Sequence, residues 1–341
     1  MMVSVSIIPA LLATTLQVSA GDSVCYIGRV DLTAGAARSS WSATGVELKV
    51  SGEKLQATLA SPGDNYVQVE VDGQPVVTWH VKGDGTFTIS LPKTTRTGWH
   101  RVRLIKKTEP FVGVITWKEF RADRFARPDA PKRRLEIIGD SISCGYGNLG
   151  ANQNEHFATD TEDAYQTYGS IAGRAVGAET WIHAWSGRKM ALDNTIPEIY
   201  DLAIPTEPTT KWNFKEEAPQ AILINLATND FGKGNPDEKS WTAAYSAFIG
   251  KLRARAPKAF IYCATGSMMT DSYPPGNNAL STVKGYLDRM VARIADPRVK
   301  RIDFDPQRME DGIGSDWHPN VKTHTKMAAV LTEALRKDLG W

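Results

Sequence analysis

The hydrophobic pattern of this chain changes once, and that change limits the folds open to it. From Cys25 to about Ala130, apolar and polar residues alternate over short runs. Gly45-Val-Glu-Leu-Lys-Val50, Tyr66-Val-Gln-Val-Glu-Val71 and Thr86-Phe-Thr-Ile-Ser-Leu91 show it, and Trp99–Leu104 and Val112–Phe120 continue it. A period of two puts the apolar side chains on one face of a strand. The connections carry turn residues, Ser51-Gly52, Asp72-Gly73 and Gly83-Asp84-Gly85, of which Asp72-Gly73 is the strongest hairpin signature. Short strands at regular spacing, with no convincing helix, predict a β-sandwich or jelly roll. Beyond the Pro-rich stretch Arg127-Pro-Asp-Ala-Pro131, short apolar runs alternate with longer helical ones. Strands are predicted at Leu135–Ile138, Thr180–Trp185, Ala221–Leu226, Ala259–Thr265 and Lys300–Phe304. Helices are predicted at Ala164–Val176, Trp241–Arg255, Ser281–Ala295 and His324–Leu339, with Asp163 and Ser281 as caps. Such alternation implies right-handed crossovers and a doubly wound parallel sheet, the α/β class. At 341 residues the chain is long for one core. The reading is a β domain over 21–130 and an α/β domain over 131–341.

The first α/β strand ends in Gly139-Asp-Ser-Ile-Ser-Cys-Gly-Tyr-Gly147. It delivers Ser141 just past a strand end, where open parallel sheets bind ligands. A serine hydroxyl needs a base to become a nucleophile, and donors for the oxyanion it creates. Six histidines are available as the base. His80 and His100 fall on β-domain strands and read as sheet-surface residues. His183 falls inside a buried strand and reads as a hydrogen-bonded core residue, and His324 as an exposed first-turn residue. His156 sits in a polar loop with Glu155, Asp160 and Glu162, whose spacing matches no metal-ligand pattern. His318 lies in Gly312-Ile-Gly-Ser-Asp-Trp-His-Pro-Asn320, between the last strand and the last helix, where the chain returns to the strand ends. Asp316, two residues before it, is placed to orient the ring, giving Ser141, Asp316 and His318 as catalytic candidates. Oxyanion donors are expected from the Ser141 N–H, the Gly187 N–H in Trp185-Ser-Gly-Arg188, and the Asn229 amide in Asn225-Leu-Ala-Thr-Asn-Asp230. Asp140 and Asp230 are expected to hold loop backbone. Cys144 is expected to be a small buried neighbour of the site and not a second nucleophile.

Net charge is +2 with both signs intermixed, which leaves no footprint for nucleic acid or an anionic membrane. Met1–Ala20 is apolar and uncharged and ends Val18-Ser-Ala20 before Gly21, as a secretory leader does, although no Lys or Arg precedes the apolar run. It predicts a secreted or periplasmic protein. Pro9 and several Ser and Thr argue against a permanent span. Three cysteines, Cys25, Cys144 and Cys263, allow at most one disulfide.

Gly139-Asp-Ser141, Gly187, Asn229 and His318 together resemble the four blocks of the SGNH (GDSL-like) hydrolase superfamily. With Tyr26-Ile-Gly-Arg-Val30 heading the β domain and Asp316-Trp-His-Pro-Asn320 near the end, the chain is similar to carbohydrate esterase family 2. That resemblance implies an N-terminal jelly roll and a flavodoxin-like SGNH domain. It implies a serine esterase that removes acetyl groups from plant polysaccharides such as xylan and glucomannan, without metal or cofactor. Trp317, Trp212 and Trp185 are candidate sugar platforms beside such a site. Two positions depart from the pattern. Ala227 stands where the third block has Gly, and Ser315 stands where most SGNH enzymes place the acid. Asp316 fits the esterase family, some members of which have only a Ser–His dyad. Rival readings are an esterase of non-carbohydrate acyl groups and a non-catalytic carbohydrate-binding module.

Overall fold

The computed structural model describes residues 16–18, 23–33, 35–93, 98–214 and 218–341. The N-terminal half is antiparallel, with strands β1 (Leu16–Val18), β2 (Val24–Ile27), β3 (Ala37–Ser39), β4 (Gly45–Ser51), β5 (Lys54–Val71), β6 (Gln74–Ser90), β7 (His100–Lys106), β8 (Ile115–Ala122) and β9 (Arg124–Ala126). Asp72 and Gly73 both have positive φ and join β5 to β6 with Val71 opposite Gln74, the two-residue hairpin that Asp-Gly favours. The turn expected at Gly83-Asp84-Gly85 is absent. β6 runs straight through it, paired to β5, and the irregularity appears instead as a register shift between Ser61 and Asn65 of β5. β5 carries β6 along one edge and, along the other, β8 beside one half and β7 beside the other, so the sheet curls around Leu48, Leu55, Val67, Leu104 and Trp117. Of the predicted leader, residues 1–15, 19 and 20 lie outside the described residues, whereas Leu16–Val18 pair antiparallel with Phe120–Ala122.

The C-terminal half forms a parallel sheet of β10 (Arg134–Gly139), β11 (Glu179–Ala184), β12 (Ala221–Asn225), β13 (Phe260–Thr265) and β14 (Val299–Asp303), in the order β11-β10-β12-β13-β14. The helices are α1 (Ser141–Cys144), α2 (Tyr168–Val176), α3 (Ile196–Ile199), α4 (Thr228–Phe231), α5 (Glu238–Arg255), α6 (Ala279–Ile294) and α7 (Val321–Leu339). Alternation along the strands feeds two cores. Leu135, Ile137, Leu223 and Tyr262 pack under α2 and α7, while Ile138, Ile222, Ile224 and Ile261 pack under α5 and α6. The long helix predicted over Ala164–Val176 is interrupted. Asp163 accepts from the Tyr165 N–H at 2.9 Å, a short turn follows, and α2 begins only after Thr167. Ser281 is not the cap of α6, which starts at Ala279; Asp271 accepts the Ser281 N–H at 2.7 Å. His324 is fully buried, not exposed, because α7 begins at Val321 and turns its ring inward, where Nδ1 accepts from the Tyr168 N–H at 3.3 Å. All three cysteines are free, and among the described residues no helix is long and apolar enough to cross a membrane.

The two halves share a buried polar seam as well as apolar contacts. Arg29 and Glu136, both fully buried, approach to 3.6 Å; Arg255 lies 3.1 Å from Glu136, and His183 Nδ1 lies 2.7 Å from Glu136. Burial alone would raise the Glu136 carboxyl, but Arg255, His183 and Arg29 hold it well below the usual carboxylate range. The Trp41 indole donates to the Leu202 carbonyl at 3.1 Å. Removing one member of a buried charge group leaves the others uncompensated. Arg29→Met is therefore expected to lower stability by about 3–5 kcal/mol in urea unfolding; a change within about 0.5 kcal/mol would show that the seam carries no net stabilisation.

Candidate active site

The register of three strands sets the site. Gly139 of β10 lies opposite Ala184 of β11 and Asn225 of β12, so the three strands end level and their following loops meet. The strand order reverses at β10, where an open sheet leaves a crevice. Asp140 then caps α1 by accepting from the Ile142 N–H at 3.1 Å, which places Ser141 at the first helical position.

From the far end of the sheet, the loop before α7 reaches back to α1. The Ser315 N–H donates to the Gly147 carbonyl at 2.9 Å. A side chain on Gly147 would put its Cβ 2.5 Å from that of Ser315, so this approach requires glycine. His318 Nε2 thereby sits 2.9 Å from Ser141 Oγ. His318 Nδ1 lies 3.0 Å from the Asp316 carbonyl and 3.2 Å from the Ser315 carbonyl. Carbonyl oxygens only accept, so Nδ1 carries the proton and Nε2 turns a lone pair toward the serine hydroxyl. Burial pulls the His318 pKa below its ordinary value, against these two hydrogen bonds, which favour the charged ring.

The Asp316 carboxylate does not touch the ring. It accepts from His156 Nδ1 at 2.8 Å, from the Tyr146 hydroxyl at 2.9 Å and from the Phe157 N–H at 2.9 Å. The hydrogen bond from His156 leads in holding it below the usual carboxylate range. The physical reason is backbone geometry. Asp316 and Trp317 have φ of 50° and 65°, a left-handed pair that points the Asp316 carbonyl at the imidazole and its side chain away.

The Asn229 amide donates to the Arg188 carbonyl at 3.0 Å and to Asp140 Oδ2 at a longer 3.3 Å. Asp140 is fully buried, which pushes its carboxyl up to about 7. Asp230 accepts from the Met190 and Ala191 N–H groups, each at 2.9 Å, and from the Trp241 indole at 3.0 Å, tying the loop after β11 to α5. Gly187 lies in the turn directly after β11.

Two sequence patterns match the chain. The Carbohydrate esterase 2 N-terminal pattern covers residues 26–131, and that of the GDSL-like Lipase/Acylhydrolase family covers residues 137–326. A solved family two carbohydrate esterase from Clostridium thermocellum, in complex with cellohexaose, superposes with a TM-score of 0.84 at 31% identity, over 93% of this chain and 99% of that one. This chain belongs to carbohydrate esterase family 2. Cellulase/esterase CelE of Acetivibrio thermocellus is 31% identical over 93% of this chain, which spans only 40% of the length of CelE. An acetylxylan esterase / glucomannan deacetylase of Cellvibrio japonicus is 25% identical over 97% of this chain and 94% of its own.

In this family member the three tryptophans have different surroundings. Trp317 is 54% exposed beside His318, with its carbonyl accepting from Gln307 at 2.7 Å. Trp185 packs against the core under α5 and α6, with Arg188 stacked 4.6 Å from its ring. Trp212 lies in the segment that meets the β domain, its N–H donating to the Asp201 carbonyl at 2.7 Å. Nothing places Trp212 beside Ser141.

Sequence reasoning missed four side chains near the site. Tyr146 lies tilted 4.2 Å from the His318 ring, Phe157 stacks 4.4 Å from Tyr146, and Phe111 of the β domain lies 5.6 Å from Phe157. Glu109, also from the β domain, accepts from the Ser186 N–H at 2.7 Å. Only Tyr146 had a sequence cue, its place between two glycines just after the serine; the others depend on how the domains meet. Glu109, Cys144 and Glu162 are close enough to share an ion. However, both Glu109 carboxylate oxygens are already engaged by the Ser186 N–H and hydroxyl. In a proton NMR titration, His318 is expected to titrate below its ordinary 6.5, with the Nδ1 proton retained above the midpoint. A midpoint above 6.5 would mean that a carboxylate, not burial, governs the ring.

Proposed function

We propose that this chain is a serine esterase that removes O-acetyl groups from plant cell-wall polysaccharides such as xylan and glucomannan, with an N-terminal domain of jelly-roll type. The observation that carries this reading is the 2.9 Å contact between Ser141 Oγ and a His318 Nε2 that is fixed as an acceptor. The acetylxylan esterase and glucomannan deacetylase name of a relative matched over nearly its whole length supports the substrate class. The apolar Met1–Ala20 stretch suits an exported enzyme that meets such a polymer outside the cell.

Ser141 Oγ attacks the acetyl carbonyl carbon while His318 Nε2 takes the hydroxyl proton. The carbonyl π pair moves onto oxygen, and the Ser141 N–H, the Gly187 N–H and the Asn229 amide hold the resulting oxyanion. Asn229 reaches it by giving up its 3.3 Å contact with Asp140 while keeping Arg188. As the tetrahedral centre collapses, the bond between the acetyl carbon and the sugar oxygen breaks and imidazolium His318 protonates the departing sugar oxygen. Water, deprotonated by His318, then attacks the acetyl–Ser141 ester; the acetyl C–Oγ bond breaks, His318 returns the proton to Ser141 Oγ, and acetate leaves. The Asp316 and Ser315 carbonyls steady the imidazolium through Nδ1–H. Trp317, the exposed ring beside His318, is the natural stacking face for a sugar.

Acetate release from acetylated xylan, acetylated glucomannan and long-chain acyl esters tests the substrate. Turnover of the acetylated polymers is expected to lead, Ser141→Ala to abolish it, and Asn229→Ala to cost about 10²–10³ in rate. Polymer binding without acetate release would make the chain a binding module, and preference for long acyl chains would reassign the substrate. Asp316→Asn keeps the carbonyl and is expected to lose at most about tenfold, far less than His318→Ala. Equal losses would make the carboxylate itself catalytic. Because only neutral His318 accepts the proton, kcat/KM is expected to fall as pH drops through a midpoint below 6.5.

A further inference from the structure

The Gly187 N–H belongs to the middle peptide of a four-residue turn. The Arg188 N–H donates to the Trp185 carbonyl at 3.2 Å, and Gly187, the third residue, has φ +76°. Positive φ at that place marks a type II turn. Types I and II differ by a flip of the middle peptide, so the N–H of the third residue points to opposite sides in the two forms. What holds Ser186, the second residue, therefore decides where the Gly187 N–H points.

Ser186 is held by the other domain. The chain beyond β7 folds into a hook in which Lys106 Nζ donates to the Thr108 carbonyl at 2.6 Å, the Thr108 hydroxyl at 3.0 Å and the Glu109 carbonyl at 3.0 Å. The Glu109 N–H donates to Glu162 Oε2 at 3.0 Å. Fully buried, Glu109 then spends one carboxylate oxygen on the Ser186 N–H at 2.7 Å and the other on the Ser186 hydroxyl. We propose that Glu109 of the β domain is a positioning residue for the oxyanion site, clamping Ser186 at two points so that the Gly187 N–H faces the reacting carbonyl. Desolvation raises both carboxyls of the Glu109–Glu162 pair, and the Ser186 N–H, which can only donate, makes Glu109 Oε2 an acceptor. The inference rests on the esterase reading and adds that the β domain acts in the reaction.

The test compares kcat and KM of the full chain on p-nitrophenyl acetate, at a temperature where circular dichroism shows each variant folded. A donor misplaced by about 1 Å can cost on the order of 10²-fold. Glu109→Ala is expected to lower kcat about 100-fold with KM within about threefold, as loss of an interaction made only in the transition state does. Glu109→Gln and Ser186→Ala each keep part of the clamp and are expected to lose about tenfold; they decide the question if Glu109→Ala does not fold. Arg38→Ala, which breaks the 2.9 Å interdomain pair with Glu207 away from this turn, is expected to leave kcat within about twofold. If Glu109→Gln and Ser186→Ala both keep kcat within about twofold while Ser141→Ala is inactive, the clamp is refuted and the esterase stands. An active Ser141→Ala would overturn the esterase reading itself.

Discussion

Everything at this site follows from the level endings of three parallel strands. Gly139 sits between Ala184 and Asn225, so the loops carrying Ser141, Gly187 and Asn229 leave the sheet at one height. A one-residue slip of β10 would exchange its faces, moving Ile138 out of one core and Ile137 out of the other. The same period that fills two cores thus fixes the height at which the serine emerges. Burial and function are set by one register, which is why the site can be assembled from short loops.

The histidine shows how backbone can replace an acid. A carboxylate beside the ring would bring a full charge into a space where His318 is largely dehydrated. A carbonyl supplies the acceptor that fixes the tautomer without that burden, and stabilises the imidazolium less strongly. The Asp316 side chain instead holds the loop, tied to Tyr146, His156 and the Phe157 N–H. Two successive left-handed residues cost about 1–3 kcal/mol each. Three hydrogen bonds to one carboxylate are of the right size to offset that strain.

Much of this was legible in the sequence because it rests on periodicity and on short-range chemistry. The five parallel strands fall within a residue or two of their expected ends, and the Asp72-Gly73 hairpin is where its chemistry demands. Ser141 and His318 meet as their loop positions imply. The direction of the Asp316 side chain was illegible because it turns on a φ of 50° that aspartate only occasionally adopts. His324 was misjudged because α7 starts three residues earlier than the pattern suggested, which rotates the ring inward. The expected turn at Gly83–Gly85 failed because pairing with β5 overrode the local preference. Glu109 carried no cue at all, since its partner lies 77 residues away in another domain.

Two buried glutamates at the domain seam end in opposite electrostatic states, and the contrast says what each does. Glu136 is surrounded by Arg29, Arg255 and His183, and the charge of the arginines with the hydrogen bond from His183 outweighs desolvation, leaving a carboxylate that joins the halves. Around Glu109 and Glu162 desolvation wins, since Lys106 is itself pushed down to about 7 by burial and offers only partial compensation. A site built only to weld two domains gains most from full pairing of its charges, as at Glu136. The under-compensated pair instead keeps one oxygen-rich acceptor aimed at two donors of a single residue, Ser186, next to Gly187. Such a cost is more readily understood where a peptide must be held in one of two orientations than where cohesion alone is needed. On this argument the β domain completes the hydrolase, and separating the two would remove part of the catalytic geometry along with the contact area.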